Sequence, residues 1–195
     1  MKTIKRIIKN LLTLFRYPIL SVILKRKGAK NLYIGLGITI NDFSRISVGK
    51  NVYIGHDARC LIVKNYHGGV YNPFIKIGNN VSIGNRCSFL SAAPIVIKDN
   101  NLIASDVMIT SENHGMDPED SDSYATQPLV AKPVEIGEGC WIGEKVCILP
   151  GVVLGDRCIV AAGAVVTKSF PAYSIVGGVP AKLLKKYNKD THEWE

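Results

Sequence analysis

Between residues 134 and 172 this chain repeats itself every six residues, a pattern that few folds can accommodate. Ile136, Ile142, Ile148, Leu154, Val160, Val166 and Ala172 form an unbroken aliphatic or small series. Cys140, Val146, Val152, Cys158, Ala164 and Phe170 stand four residues after the first six of these, and Gly137, Gly143 and Gly155 each lead a polar pair. Internal periodicity of this kind outranks local propensity as a fold signal. Strand side chains alternate between faces, so Val146 and Ile148 are predicted to point inward and Cys147 outward. The Gly-led segments supply turns that tolerate unusual backbone angles. Three strand–turn units close one coil, which stacks Ile136 under Leu154 and Ile142 under Val160. The pattern therefore specifies an all-β chain, a parallel β-helix of hexapeptide repeats.

The same register runs earlier, with two interruptions. Ile77 and Ile83 are in phase, with Val81 and Cys87 as their small partners; Ile97, Ile103 and Ile109 follow, with Asn101 and Val107. Val48 and Ile54 pair with Val52 and Ala58, and Ile34 and Ile40 place the start of coiling near residue 31. Between Ile54 and Ile77 the spacing slips, and residues 64–69 read as a loop. Between Ile109 and Ile136 about one coil of sequence loses all periodicity. A long stretch of that kind inside a compact domain is usually functional, and we read residues 112–133 as a loop extruded from the helix wall.

The 195 residues fit one core with terminal additions: a basic amphipathic segment over 1–30, the β-helix over 31–180, and a short C-terminal helix and tail over 181–195. Of the five cysteines, Cys87, Cys140 and Cys158 fall in small inward slots of the repeat. Buried free cysteine packs as a small hydrophobe, and an odd count without a secretory signature fits a reducing cytosol. The net charge of +8 resides almost wholly in residues 1–30, which carry nine basic side chains and no acid.

Ile4, Ile7, Ile8, Leu11, Leu12 and Phe15 keep helical spacing, with Lys5, Arg6, Lys9 and Asn10 on the other side. A transmembrane helix would need about 20 apolar residues, and Arg16 and Pro18 interrupt the run. Residues 27–30 make a poor signal-peptide cleavage site. Two compatible readings stay open for residues 1–27: a cap on the open end of the β-helix, and contact with a membrane surface. No reading motif for nucleic acid accompanies the charge.

Of the four histidines, His114 stands apart, directly after an in-phase strand and at the base of the excursion, beside Glu112, Asn113 and Asp117. Neutral imidazole is well suited to accept a proton near pH 7. The run Val134-Glu135-Ile136-Gly137-Glu138-Gly139-Cys140-Trp141-Ile142-Gly143, the segments Ile148-Leu149-Pro150-Gly151-Val152 and Ala161-Ala162-Gly163-Ala164-Val165-Val166-Thr167-Lys168, and Gly177-Gly178-Val179-Pro180-Ala181-Lys182 resemble the hexapeptide-repeat acyltransferases. The resemblance is to the branch holding the maltose, galactoside and nodulation-type enzymes and the capsule and O-antigen O-acetyltransferases. It covers residues 31–187 and is strongest over 103–186.

That resemblance implies a left-handed β-helix and transfer of an acetyl group from acetyl-CoA to a saccharide hydroxyl in surface polysaccharide biosynthesis. His114 matches the general base, which activates the acceptor for direct attack without an acyl-enzyme. Asn113 and Ser91 match acceptor-contacting positions, and Trp141 matches an aromatic of the cleft shared by acceptor and CoA. Glu144, where relatives often carry serine, matches a position whose backbone amide lies near the thioester. Ala162, Thr167 and Lys168 match the CoA arm. Lys182 and Lys185 match basic positions near its phosphates, where relatives often carry arginine. Relatives form homotrimers with the site between neighbours, and no metal is expected. The basic, apolar N-terminus suits a glycolipid acceptor and a cytoplasmic protein peripheral on the inner face of the membrane.

Other readings compete with this one. N-acylation of an amino sugar or small amine would use the same machinery. A non-catalytic β-helix serving in assembly is opposed by His114 and the CoA-like block. A zinc enzyme of the γ-carbonic-anhydrase kind needs several converging histidines, and His56, His67 and His114 lack that spacing.

Overall fold

In a computed structural model the described residues are 28–120 and 122–195, residues 17–26, and Leu11, Thr13 and Phe15 before them. The first part of the amphipathic segment, residues 1–10, lies outside the described residues. The chain winds as a left-handed β-helix with three parallel sheets, named here faces A, B and C in the order the chain visits them. Face A includes Tyr33–Ile34, Trp141–Ile142 and Ile159–Val160; face B runs from Thr39–Ile40 through Arg59–Ile62, Ser88–Ser91, Met108–Thr110 and Cys147–Ile148 to Val165–Val166; face C runs from Ile46–Val48 to Val153–Leu154.

The expected register is the observed one. Ile136 lies opposite Leu154, Ile142 opposite Val160 and Ile148 opposite Val166. Val146 and Ile148 are buried while Cys147 is half-exposed on the outside. Ile75, Ile95, Ile136, Ile142 and Ile148 are fully buried, each contributing about 1.5–3 kcal/mol of apolar transfer. Because the coils are in register, the inward aliphatic residues stack in columns, as Ile77, Ile97 and Ile136 do.

The edge between faces C and A shows how the turns are held. Asn31, Asn51, Asn80 and Asn100 occupy it with left-handed φ of 53°, 58°, 54° and 62°. Asparagine accepts this conformation at lower cost than most residues. Stacking then lets each side-chain amide donate to the next carbonyl oxygen, at 2.8, 2.9 and 2.9 Å, before Asn100 donates to Glu138 Oε1 at 2.8 Å. One residue further in, the buried Asn101 amide donates to the carbonyls of Lys98 and Gly137, both at 2.9 Å, and accepts from the Cys140 N–H at 2.7 Å.

Both open ends are covered. Helix α1 (Pro18–Arg26) lays Leu20 and Leu24 into the core, and the preceding Thr13 hydroxyl accepts from the Ile34 N–H at 3.0 Å. The capping reading holds for these residues. The other end departs from expectation: the segment expected to be a helix is a strand, Lys182–Asn188, antiparallel to Ser174–Gly177 and followed by Glu193–Trp194. The last coil would otherwise leave a row of unpaired backbone groups at its edge. Leu183 and Leu184 are adjacent and exposed, so no apolar helical stripe competes with that pairing.

The two phase breaks leave from one place. The first is a hairpin (Asn65–Tyr66 with Gly69–Val70), not a plain loop, and it follows strand Arg59–Ile62. The second follows Met108–Thr110 and is anchored by the antiparallel pairing of Glu112–Asn113 with Val130–Ala131. Both strands belong to face B, separated by Ser88–Ser91 alone, so both insertions emerge at the edge between faces B and C.

Candidate active site

His114 leaves the anchoring pair exposed to solvent, beside an open hollow of about 520 Å³ lined by Asn113, His114, Gly115, Met116 and Tyr124. The excursion keeps its shape through the buried amide of Gln127. Its Oε1 accepts from the Asp117 N–H at 3.1 Å, and its Nε2 donates to the carbonyls of Asp117 at 2.9 Å and Asp122 at 3.1 Å. Gly115 has to be glycine: an added Cβ would stand 2.5 Å from Gln127 Cβ.

The imidazole has two neighbours that bear on its chemistry. The Tyr66 ring meets it edge-on, with centroids 5.4 Å apart and planes at 66°. The Glu112 carboxyl is half-buried, and burial pushes its pKa up, with the nearby His114 opposing that shift. An exposed imidazole at the mouth of a hollow can take up and return a proton.

The other expected site residues divide between two sides of the prism. Thr167 and Lys168 follow strand Val165–Val166, which aligns through Cys147–Ile148 with Met108–Thr110, so they share the B–C edge with the excursion. Trp141 is exposed on face A, which lies across the prism from that edge. Glu144 and Ala162 border face A at its junction with face B, and Lys182 and Lys185 lie on the strand that ends face A. Among the described residues nothing accepts a hydrogen bond from the Glu144 N–H, whereas its carbonyl accepts from Gly163 at 2.8 Å. The Lys185 ammonium is partly engaged, donating to the Trp194 carbonyl at 3.2 Å. Within one chain the two groups lie on different sides of the prism.

Ser91 leaves the candidate set. It is fully buried, and its hydroxyl donates to the Ala93 carbonyl at 2.8 Å, in a cluster completed by Ser111. An acceptor cannot reach it. Two residues not singled out in the sequence join the site instead. Tyr66 donates its hydroxyl to the Ala125 carbonyl, and the Tyr71 hydroxyl accepts from the Leu129 N–H at 2.6 Å while facing the Leu129 carbonyl at 3.1 Å. The phase breaks place both insertions at one edge, after neighbouring face-B strands, but nothing in the sequence pairs these tyrosines with their partners. Among the described residues no group of three His, Cys, Asp or Glu side chains converges as a metal site would require.

A coiled, three-sided prism with a histidine-bearing excursion defines a class, and comparison with known proteins agrees. Residues 133–168 match the family described as "Bacterial transferase hexapeptide (six repeats)", and the chain belongs to the hexapeptide-repeat acyltransferases. It is 35% identical over 156 residues to the Escherichia coli (strain K12) protein named "Putative lipopolysaccharide biosynthesis O-acetyl transferase WbbJ", covering 73% of this chain and 80% of that one. Among solved structures it resembles a maltose O-acetyltransferase from Clostridium difficile 630, at 26% identity and a TM-score of 0.61 over 91% of this chain and 89% of that one. The fold also matches AntD, an N-acyltransferase from Bacillus cereus in complex with dTDP and 3-hydroxybutyryl-CoA, at 22% identity and a TM-score of 0.68 over 86% and 88% of the two chains.

Proposed function

We propose that this acyltransferase moves an acetyl group from acetyl-CoA to a hydroxyl of a saccharide, with His114 as the general base. The observation that carries the reading is the placement of His114 at the rim of the hollow beside Tyr124 and Met116, together with the similarity to O-acetyl transferases. His114 takes the proton of the acceptor hydroxyl as its oxygen attacks the thioester carbonyl. The carbon–sulfur bond then breaks, and His114 returns the proton to the departing CoA thiol. General-base assistance of this kind is worth about 10²–10⁴-fold. The Glu144 N–H, which has no acceptor among the described residues, supplies a donor suited to the developing oxyanion, a role that survives replacement of the side chain.

The division of site residues between the B–C edge and face A supports a homotrimer in which His114, Asn113, Thr167 and Lys168 of one protomer face Trp141, Glu144, Ala162, Lys182 and Lys185 of the next. The likeness to a lipopolysaccharide biosynthesis protein supports an acceptor in surface polysaccharide assembly. No helix among the described residues is long and apolar enough to cross a membrane. Leu11, Phe15, Ile19 and Val22 are nonetheless exposed while Leu20 and Leu24 are buried. This two-sided segment, with nine cations in residues 1–30, suits peripheral attachment to an anionic cytoplasmic leaflet and a glycolipid acceptor. Co-sedimentation with phosphatidylglycerol vesicles should be lost in Phe15→Glu/Ile19→Glu; unchanged binding would remove the membrane part of the reading. The transfer itself is tested by thiol release from acetyl-CoA with a panel of methyl glycosides, which His114→Ala should lower about 10²–10⁴-fold.

A further inference from the structure

We infer that the hairpin of the first phase break is a clamp on the catalytic excursion, and that Tyr66 is a positioning residue for His114. The inference rests on the general-base reading of that histidine. Among the described residues, three contacts from two tyrosines join the hairpin to the excursion. The Tyr66 ring sets its edge against the imidazole, and its hydroxyl is tied to the Ala125 carbonyl, next to Tyr124 in the wall of the hollow. Tyr71 closes the far end of the same segment at Leu129. The excursion is therefore held at three successive points, the imidazole, Ala125 and Leu129, by side chains from a different coil.

The clamp is itself well braced. Residues 67 and 68 form its two-residue turn with φ of 39° and 81°, the left-handed pair that such a tight hairpin requires. His67 also packs edge-on with Tyr66, with centroids 4.5 Å apart and planes at 76°, so the tyrosine ring contacts two imidazoles. At the base of the hairpin Lys64 forms an ion pair with Asp42 at 2.9 Å. Gly69 is required where it stands, because any Cβ there would collide with the Tyr71 hydroxyl.

Position matters for His114 more than for most residues. Among the described residues nothing hydrogen-bonds its ring, so orientation has to come from packing. Edge-to-face aromatic contacts fix geometry as well as burying area. A displacement of about 1 Å at a reacting group can cost about 10²-fold in rate. The same tether sets Tyr124 and Met116 relative to the imidazole, so the hairpin also shapes the space into which a sugar ring must fit.

The test uses the full chain and three variants: Tyr66→Ala, Tyr66→Phe and Tyr71→Phe. Histidine side-chain resonances are recorded on labelled protein, with His114→Ala assigning the signal, together with amide exchange over residues 112–131 and thiol release from acetyl-CoA with the methyl glycosides. Tyr66→Ala should move or broaden the His114 resonance and lower kcat/KM for the glycoside about 10- to 100-fold without weakening acetyl-CoA binding. Tyr66→Phe keeps the ring and should leave the His114 signal near its wild-type position. It should speed exchange around residue 125 about 3- to 10-fold. Tyr71→Phe should do the same around residue 129. If the His114 resonance and the exchange pattern are unchanged in all three variants, the clamp is refuted whatever the activities. If instead His114→Ala transfers at the wild-type rate, the general-base reading falls, and the spectra still show whether the hairpin holds the excursion.

Discussion

The coils over residues 134–176 and the two insertions at the B–C edge are stabilised in different ways. In the coils the strand backbones and the inward side chains find their partners by repetition, one turn above or below. The result is chemically quiet, with fully buried aliphatic columns stacked in register. The insertions have no such neighbours. They are held by single side chains, Gln127, Tyr66 and Tyr71, and they carry the half-buried carboxyl and the exposed imidazole. A repeating wall provides a stable frame, and the departures from it provide reactive groups that need specific support.

Four changes should break or sharpen this contrast. The largest is Asn101→Ala, which strands the Cys140 N–H and two carbonyls inside the wall. At about 1–3 kcal/mol for each buried unpaired group, a loss of about 3 kcal/mol should lower Tm by about 6–12 °C in calorimetry. Gln127→Ala removes three hydrogen bonds, but from the excursion. It should move Tm by less than about 2 °C while raising amide exchange over residues 115–126 about tenfold or more; a large fall in Tm would show that the excursion and wall unfold as one unit.

The third change probes the closure of the wall. Burial pushes the Cys60 thiol up to about 12 and the Cys87 thiol up to about 11, and Cys140 and Cys158 are likewise buried. A thiol reagent should therefore modify no cysteine but Cys147 in the native protein, and all five after unfolding. The smallest effect is at the root of the hairpin. Hydrogen bonding from Ser44, then from Lys64, holds the Asp42 carboxyl down at about 2. Because the folded value is depressed, this stabilisation is present above the ordinary carboxylate range and fades as pH falls from about 4 toward 2. It should amount to less than about 1 kcal/mol after solvent screening, and Lys64→Met should reduce it in acid-unfolding titrations.

How much is legible in the sequence follows the same division. The six-residue series predicts the stacking of Ile136 on Leu154 and the outward turn of Cys147, because repetition makes local pattern and global contact the same information. It also locates His114, since the base of the excursion is where phase is lost. Ser91 misleads because phase slips after Phe89, and only coordinates show its hydroxyl spent on Ala93. The final strand misleads because its partner is an edge left by the last coil, which no property of residues 182–188 announces. Tyr66 and Tyr71 escape notice because their partners lie 59 and 58 residues away along the chain, and no periodicity connects the two insertions.

The central claim is that one imidazole, supported by the hairpin, removes the acceptor proton. Its most direct test is thiol release from acetyl-CoA with methyl glycosides, wild type against His114→Ala, with acetyl-CoA binding measured on both by calorimetry. The account predicts retained binding and a fall in transfer of about 10²–10⁴-fold. Transfer at the wild-type rate by His114→Ala would contradict it.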